Sequence, residues 1–270
     1  MQIKPHSAEW YARLSKNQEG YFFPWKSQLC AGNAYDAYPE IVHQHLAPDL
    51  DVLDVACAQG VISNRIAPHC RSVLGYDISA PWIERANADA EAQGLTNVTF
   101  ICHDSSRDAN GEPRIPAEDD SFDLLICSKG PFHWMEDARR VARPGATLLM
   151  LVPDGVPDTP WRELLPEPLN WRLGDDPNWA RPAITNRLAI GNLTLHSWWS
   201  YDVPEVFLDA EQLYVRLAWG YIPEEVPSFD EVQPLLECIF DEYTEYVSMD
   251  VCGIVLRHRR YIWKAIVPPK

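Results

Sequence analysis

The sequence predicts an α/β protein: a mostly parallel, seven-stranded, doubly wound sheet with an antiparallel terminal strand and an aromatic-rich cap. Three observations carry that expectation. From residue 50 to residue 152, short apolar runs alternate with helical segments, the pattern of a parallel sheet covered on both faces. Residues 51–63, DVLDVACAQGVIS, pass from an apolar run through an acid and small residues into a helical pattern. That is how a strand hands over to a helix whose N-terminus faces a ligand. After Gly191 a strand, two helices and a last strand close the chain.

Taken in order, strands are expected over 51–55, 72–76, 97–102, 122–128 and 146–152, with helices over 61–67, 80–92 and 134–141 between them. Pro81 falls in a first helical turn, where its missing N–H leaves nothing unpaired. Arg143-Pro144-Gly145 ends the third of these helices. The closing part reads as a strand over 194–201, helices over 210–218 and 229–246, and a strand over 254–267. The chain divides into an aromatic lid (1–40), a ligand-binding core (41–153), a Pro- and Trp-rich insertion (154–193) and the remainder of the sheet (194–270). Residues 1–40 hold Trp10, Tyr11, Tyr21, Phe22, Phe23, Trp25, Tyr35 and Tyr38, and residues 153–199 hold Trp161, Trp171, Trp179, Trp198 and Trp199. Segments this aromatic pack onto something, either as a cap over the ligand end of the sheet or as satellite core.

Composition excludes several classes. With 270 residues, 46% hydrophobic content and 11 Trp, the chain is a packed globule. No apolar run approaches the roughly 18 residues that a membrane span needs. The opening MQIKPHSAEWYARL lacks the apolar heart of a signal peptide, so a cytoplasmic location is expected. The seven Cys form no CxxC pair, and Cys57, Cys102 and Cys127 sit in or beside expected strands, where Cys packs as a small hydrophobe. Neither disulfides nor a thiolate metal site is expected. His43 and His45 lie on different faces of one expected helix and make no metal pair. The sequons at Asn97 and Asn192 are taken as chance. A net charge of −16 argues against nucleic acid as partner and suits a cationic or neutral small molecule. Arg257, Arg259, Arg260 and Lys264 form a basic cluster that reads as a solvated strand edge, with a phosphate site as the alternative. The oligomeric state is not legible.

In an open parallel sheet, ligands bind beyond the carboxyl ends of the strands. Ala56, Ala58 and Gly60 let the backbone approach a ligand there, and Asp54 either faces it or caps the loop. Asp77, ending the second expected strand, is placed to accept bonds from two ribose hydroxyls. Asp104 is placed either to read an adenine amino group or to close an Asx turn. A dinucleotide site wants GxGxxG, and Ala56, Ala58 and Val61 hold those glycine positions. The dehydrogenase alternative recedes accordingly.

Five blocks then stand in order: LDVACAQG (53–60), VLGYDIS (73–79), NVTFICHDS (97–105), IPAEDDSFDLLICSKGPFHW (115–134) and RRVARPGATLLMLVP (139–153). Over roughly 50–153 the chain resembles the class I S-adenosylmethionine-dependent methyltransferases, in particular their small-molecule, UbiE-like branch. The resemblance implies a Rossmann-like fold with S-adenosylmethionine as cofactor. Asp54, Ala56, Cys57, Ala58 and Gly60 would wrap its methionine part, Asp77 and Ile78 its ribose, and Trp82, Asp104 and Ser105 its adenine. Ser128 would lie beside the sulfonium. The usual loop glycines are Ala56 and Ala58 here; if residue 58 takes a positive φ, Ala costs about 1 kcal/mol. His133 is either a base for the acceptor or a residue that caps a helix or lines the pocket. Tyr21 and Trp25, within GYFFPW (20–25), and Trp134 are candidate acceptor contacts, since aromatic faces hold flat rings and cations; the lid pair would otherwise staple the segment down. The implied reaction is methyl transfer to a small organic acceptor. An RNA or protein acceptor, and a cofactor-binding module without turnover, are the alternatives.

Overall fold

The computed structural model describes residues 7–155, 159–170 and 178–269. The chain opens with helix α1 (Ala8–Asn17), a two-residue strand β1 (Gln28–Leu29) and helix α2 (Ala34–His43). Side-chain caps start both helices: Ser7 accepts from the Trp10 N–H, and Asn33 accepts from the N–H groups of Tyr35 and Asp36. Then come β2 (Asp51–Val55), α3 (Val61–Ile66), β3 (Ser72–Asp77), α4 (Ala80–Ala92), β4 (Val98–Cys102), β5 (Phe122–Ser128), α5 (Trp134–Val141) and β6 (Ala142–Pro153). The remainder is α6 (Ala180–Ile190), β7 (Thr194–Phe207), α7 (Ala210–Leu217), α8 (Phe229–Tyr243), β8 (Glu245–Ser248) and β9 (Val251–Ile266).

The strands lie in the order β1-β7-β9-β6-β5-β2-β3-β4, with β8 on the side against β9. Five neighbours, β4 to β6, run parallel, and β9 is antiparallel to both β6 and β7. The expected seven strands are all present, and β1 and β8 add two short antiparallel pieces. Strand order reverses between β2 and β5, so a crevice opens beyond their carboxyl ends.

Each face of the sheet has its own core. Trp134, Met135, Ile184, Leu188 and Trp263 pack on one side, under α5 and α6. Tyr38, Val42, Val52, Leu149 and Ile262 pack on the other, under α2. The Tyr38 hydroxyl reaches into the sheet itself, accepting from the Cys127 N–H at 3.2 Å and donating to the Cys127 carbonyl at 3.1 Å.

Three expectations need correction. The insertion is not one cap: α6 belongs to the main core, where Arg187 pairs with Glu136 of α5, while Trp161, Leu165 and Leu169 join a third core with α7 and α8. Trp171 lies outside the described residues. The strand expected over 194–201 continues to Phe207, because Pro204 sits where a proline costs the ladder little, beside a neighbour only two residues long. The basic group on β9 is only partly at a sheet edge: Arg260 and Lys264 pair with both β6 and β7, whereas Arg257 and Arg259 pair in the ladder with β7 alone. Pro153, the last residue of β6, pairs with Arg260. Residues 251–259 therefore overhang the parallel strands by roughly 30 Å of extended chain. With β7, α7 and α8 they wall one side of the crevice.

Candidate functional site

The loop after β2 is built on left-handed backbone. Ala56 (φ 55°), Ala58 (φ 48°) and Gly60 (φ 74°) all adopt it within five residues, at about 1–2 kcal/mol for each alanine. Three bonds hold it: Cys57 N–H to Tyr76 O (3.0 Å), Gly60 N–H to Cys57 O (2.9 Å) and Ala58 N–H to Asp77 Oδ2 (2.9 Å). Gly60 is required twice, because a Cβ there would also lie 2.6 Å from Phe100 and 2.9 Å from the Ala86 methyl. Cys57 is buried and Ile78 is exposed.

Asp54 is buried and accepts a 2.6 Å bond from the Ser63 hydroxyl, tying β2 to the first turn of α3. Burial pushes its carboxyl up to about 7, against the pull of the Ser63 bonds. Asp77 is 6% exposed. Its second oxygen accepts from the Ser79 N–H at 2.9 Å, and burial raises its pKa against those backbone bonds. Asp104 is exposed, with Oδ1 closing an Asx turn on the Ser106 N–H at 2.9 Å.

Across the crevice, Ser128 ends β5 and Lys129 turns the chain with φ 65°. Gly130 follows because a Cβ would come within 2.6 Å of Cys127 Sγ and 2.9 Å of the Ala56 methyl. His133 begins α5 without capping it. Its Nε2 is instead 3.0 Å from the hydroxyl of buried Ser105, and burial lowers its pKa, which favours the neutral imidazole. Trp134 is fully buried and stacks on Trp263 with centroids 6.2 Å apart. It supports the sheet and presents no face to an acceptor, which corrects its candidacy.

The lid segment crosses the crevice as a strap. The Trp82 indole is 2% exposed, packed under Trp10 and Leu14, and donates to the Gln18 carbonyl at 3.0 Å. The Tyr21 N–H donates to Gln59 Oε1 in the loop after β2 (3.0 Å), and its ring lies 6.0 Å from Trp82 and 5.7 Å from Trp219. Phe23 stacks on Trp25 at 4.7 Å, and the Trp25 indole donates to Glu205 at 3.0 Å. Tyr21 and Trp25 thus share one aromatic wall with Phe23.

That wall holds cations. The Lys129 ammonium lies 4.7 Å from the ring centre of Phe23, 5.0 Å from Tyr21 and 5.2 Å from Tyr35. The Arg260 guanidinium is 5.6 Å from the Tyr35 ring, and Arg216 is 5.5 Å from Trp25. Burial, reinforced by Arg260, draws the Lys129 pKa down to about 8.

Comparison with known proteins now has a geometry to meet. Residues 52–155 match a family model described as a methyltransferase domain. Over those residues the chain is similar to methyltransferase domains, and its sheet has the Rossmann-like methyltransferase order. An uncharacterized methyltransferase of Schizosaccharomyces pombe is 25% identical over 103 residues, 37% of this chain and 35% of that protein. The uncharacterized methyltransferase YcgJ of Bacillus subtilis is 29% identical over 98 residues, 36% of each. The chain thus spans about a third of the length of these curated relatives. In fold, a functionally unknown protein from Deinococcus radiodurans superimposes with a TM-score of 0.64 at 19% identity, over 95% of this chain and 98% of that one. A methyltransferase-like protein of Bacillus halodurans gives 0.59 at 18%, over 86% and 98%.

S-adenosylmethionine is the cofactor that the similarity of residues 52–155 implies, and the residues present fit it. Each Asp77 oxygen accepts one backbone bond and keeps a lone pair for a ribose hydroxyl. Beside it the buried Ser79 hydroxyl has no partner. The cradle of Ala56, Ala58, Gly60 and Gly130 brings bare backbone to the crevice. Sequence reasoning did not single out Gln18, Gln59, Lys129, Arg216 or Trp219, and met Arg260 only within the basic cluster of the last strand. Lys129 alone carried a local signal, lying next to Ser128.

Proposed function

We propose that this protein transfers the methyl group of S-adenosylmethionine to a small organic acceptor. The observation that carries the reading is Asp77: a buried carboxylate at the switch-point end of β3 that braces the strained Ala58 amide and retains acceptor capacity beside the unpartnered Ser79 hydroxyl. When bound, the cofactor supplies an electrophilic methyl group: its S–C bond breaks with the electron pair kept by sulfur as the acceptor's lone pair bonds to carbon. The protein's share is positioning and exclusion of water, which suits the strap of Tyr21, Phe23 and Trp25. His133, favoured as the neutral imidazole and beside Ser105, suits the removal of a proton from an acceptor hydroxyl or amine. A wall of single side chains favours a small acceptor over a polymer.

Isothermal titration with S-adenosylhomocysteine tests the reading. Saturable binding to the folded protein is expected, and none at all would sink it. Methyl transfer to members of a small-molecule panel, in preference to bulk RNA or protein, tests the acceptor class.

A further inference from the structure

We infer that the acceptor is a small organic anion, its carboxylate or phosphate held among Lys129, Arg216, His258 and Arg260 under the aromatic strap. The inference rests on the methyltransferase reading and adds the charge of the substrate. The four residues come from three distant parts of the chain and meet around two rings. Lys129, Arg260 and His258 all lie against Tyr35, at 5.2, 5.6 and 4.7 Å from its centre. Arg216 lies over Trp25, whose stacked partner Phe23 is the ring nearest Lys129. His258 and Arg260, two apart on β9, share one face of the sheet.

Among the described residues none of the four forms an ion pair with an acid. Arg257 pairs with Asp202, Arg259 with Asp154, Arg143 with Asp51 and Asp123, and Arg140 with Asp137. Among the described residues no carboxylate lies within ion-pair distance of Lys129, Arg216 or Arg260. Arg260 donates only to the Tyr35 hydroxyl (3.2 Å) and the Arg259 carbonyl (2.7 Å). The Arg216 Nε is buried without a partner, as are both ring nitrogens of His258, a residue 3% exposed. Glu205, whose field reaches Arg216, is engaged by the Trp25 indole at 3.0 Å and the Ser27 hydroxyl at 2.7 Å. In a chain with 39 acidic residues against 23 Lys and Arg, three half-buried cations without an acid do not reflect a shortage of acids. Half-buried charge without a counter-ion is costly, and the cluster's field adds to burial: burial and then Arg260 depress Lys129, while burial and then Arg260, Arg216 and Lys129 draw His258 down to about 3. An anionic ligand removes both penalties, and the rings beside it suit an aromatic or unsaturated acid. The net surface charge pointed toward a cationic or neutral acceptor; the pocket wall points the other way.

The methionine carboxylate of the cofactor is the other anion able to reach such a cluster, and the test separates the two. Protein saturated with S-adenosylhomocysteine is titrated with benzoate, phenyl phosphate and benzamide, following calorimetric affinity and thermal midpoint. At least one anion is expected to bind tenfold or more tightly than benzamide and to raise the midpoint. Arg216→Gln, Arg260→Gln and Lys129→Met should each erase that preference. Equal binding of anion and amide, no response to either anion, or variants that keep the preference overturn the inference. So does a tenfold loss of S-adenosylhomocysteine affinity in the variants with 5′-deoxy-5′-methylthioadenosine unaffected, since that assigns the cations to the cofactor. Failure of the wild type to bind S-adenosylhomocysteine overturns the methyltransferase reading instead.

Discussion

Beyond β2, β3 and β4 the ligand end of the sheet carries Asp54, Asp77 and Asp104, whereas beyond β5 and β9 it carries Lys129, His258 and Arg260, with Arg216 from α7 facing them. Both sides hold charge that burial opposes, and in opposite senses: the Asp54 carboxyl is pushed up to about 7 and the Lys129 ammonium down to about 8. Without ligands each side is destabilised by its own charges. The crevice is thus polarised: one half carries carboxylates that keep acceptor capacity, and the other carries cations with no carboxylate at ion-pair distance among the described residues.

Removing the key acid from the donor half should have the largest effect. Asp77→Asn is expected to weaken S-adenosylhomocysteine binding at least about 100-fold, near 2.7 kcal/mol, by calorimetry with unchanged circular dichroism. Asparagine is the variant of choice, because alanine would also orphan the N–H groups of Ala58 and Ser79. Asp54→Asn sharpens the comparison through pH. The folded pKa of Asp54 lies above its unfolded value, so the native state keeps a proton that the unfolded chain has lost, and stability falls as pH rises from about 4 toward 7. The variant should therefore melt higher than wild type at pH 8, by roughly 4 °C or more, and the gap should shrink at pH 5.

Lys129 tests the opposite sign. Its folded pKa lies below the unfolded one, so wild-type stability should rise with pH between about 8 and 10.4. Lys129→Met should flatten that rise and melt about 2–4 °C higher at pH 7, the shift expected of about 1 kcal/mol, read by calorimetric scans across pH. The smallest effect belongs to Ala58→Gly. Relief of left-handed strain at φ 48° is largely offset by the entropy of glycine, leaving a gain below about 1 kcal/mol in chemical denaturation.

The donor half was legible because its determinants are local. Two of the five expected core strands, 51–55 and 122–128, and two helices, 80–92 and 134–141, match the observed bounds, and Asp77 ends its strand as its position suggested. The demand for positive φ at Ala58 was visible from the missing glycine. The acceptor half was less legible, since Lys129, Arg216 and Arg260 are separated by 40 residues or more in sequence and only the pairing of β9 with β6 and β7, with α7 following β7, brings them together. Net charge, an average over mostly exposed residues, hid the sign of the interior. Helix α2 was partly obscured by Pro39 within it, and α6 by its Pro-rich approach. Trp134 was misplaced because aromatic character alone does not separate a pocket wall from a core position.

Gln18 gives the two halves a shared fastening. Its carbonyl takes the Trp82 indole N–H from α4 and its side-chain oxygen the Trp219 indole N–H just past α7, while its amide nitrogen donates to the Gly20 and Phe22 carbonyls. One residue, through its backbone carbonyl and its neutral side chain, therefore fastens the strap to both walls of the crevice. In engineering terms the halves are not interchangeable modules: a chimera that exchanges the first 25 residues to alter acceptor choice resets the donor pocket with it, unless Gln18 and its two tryptophan partners travel as a unit.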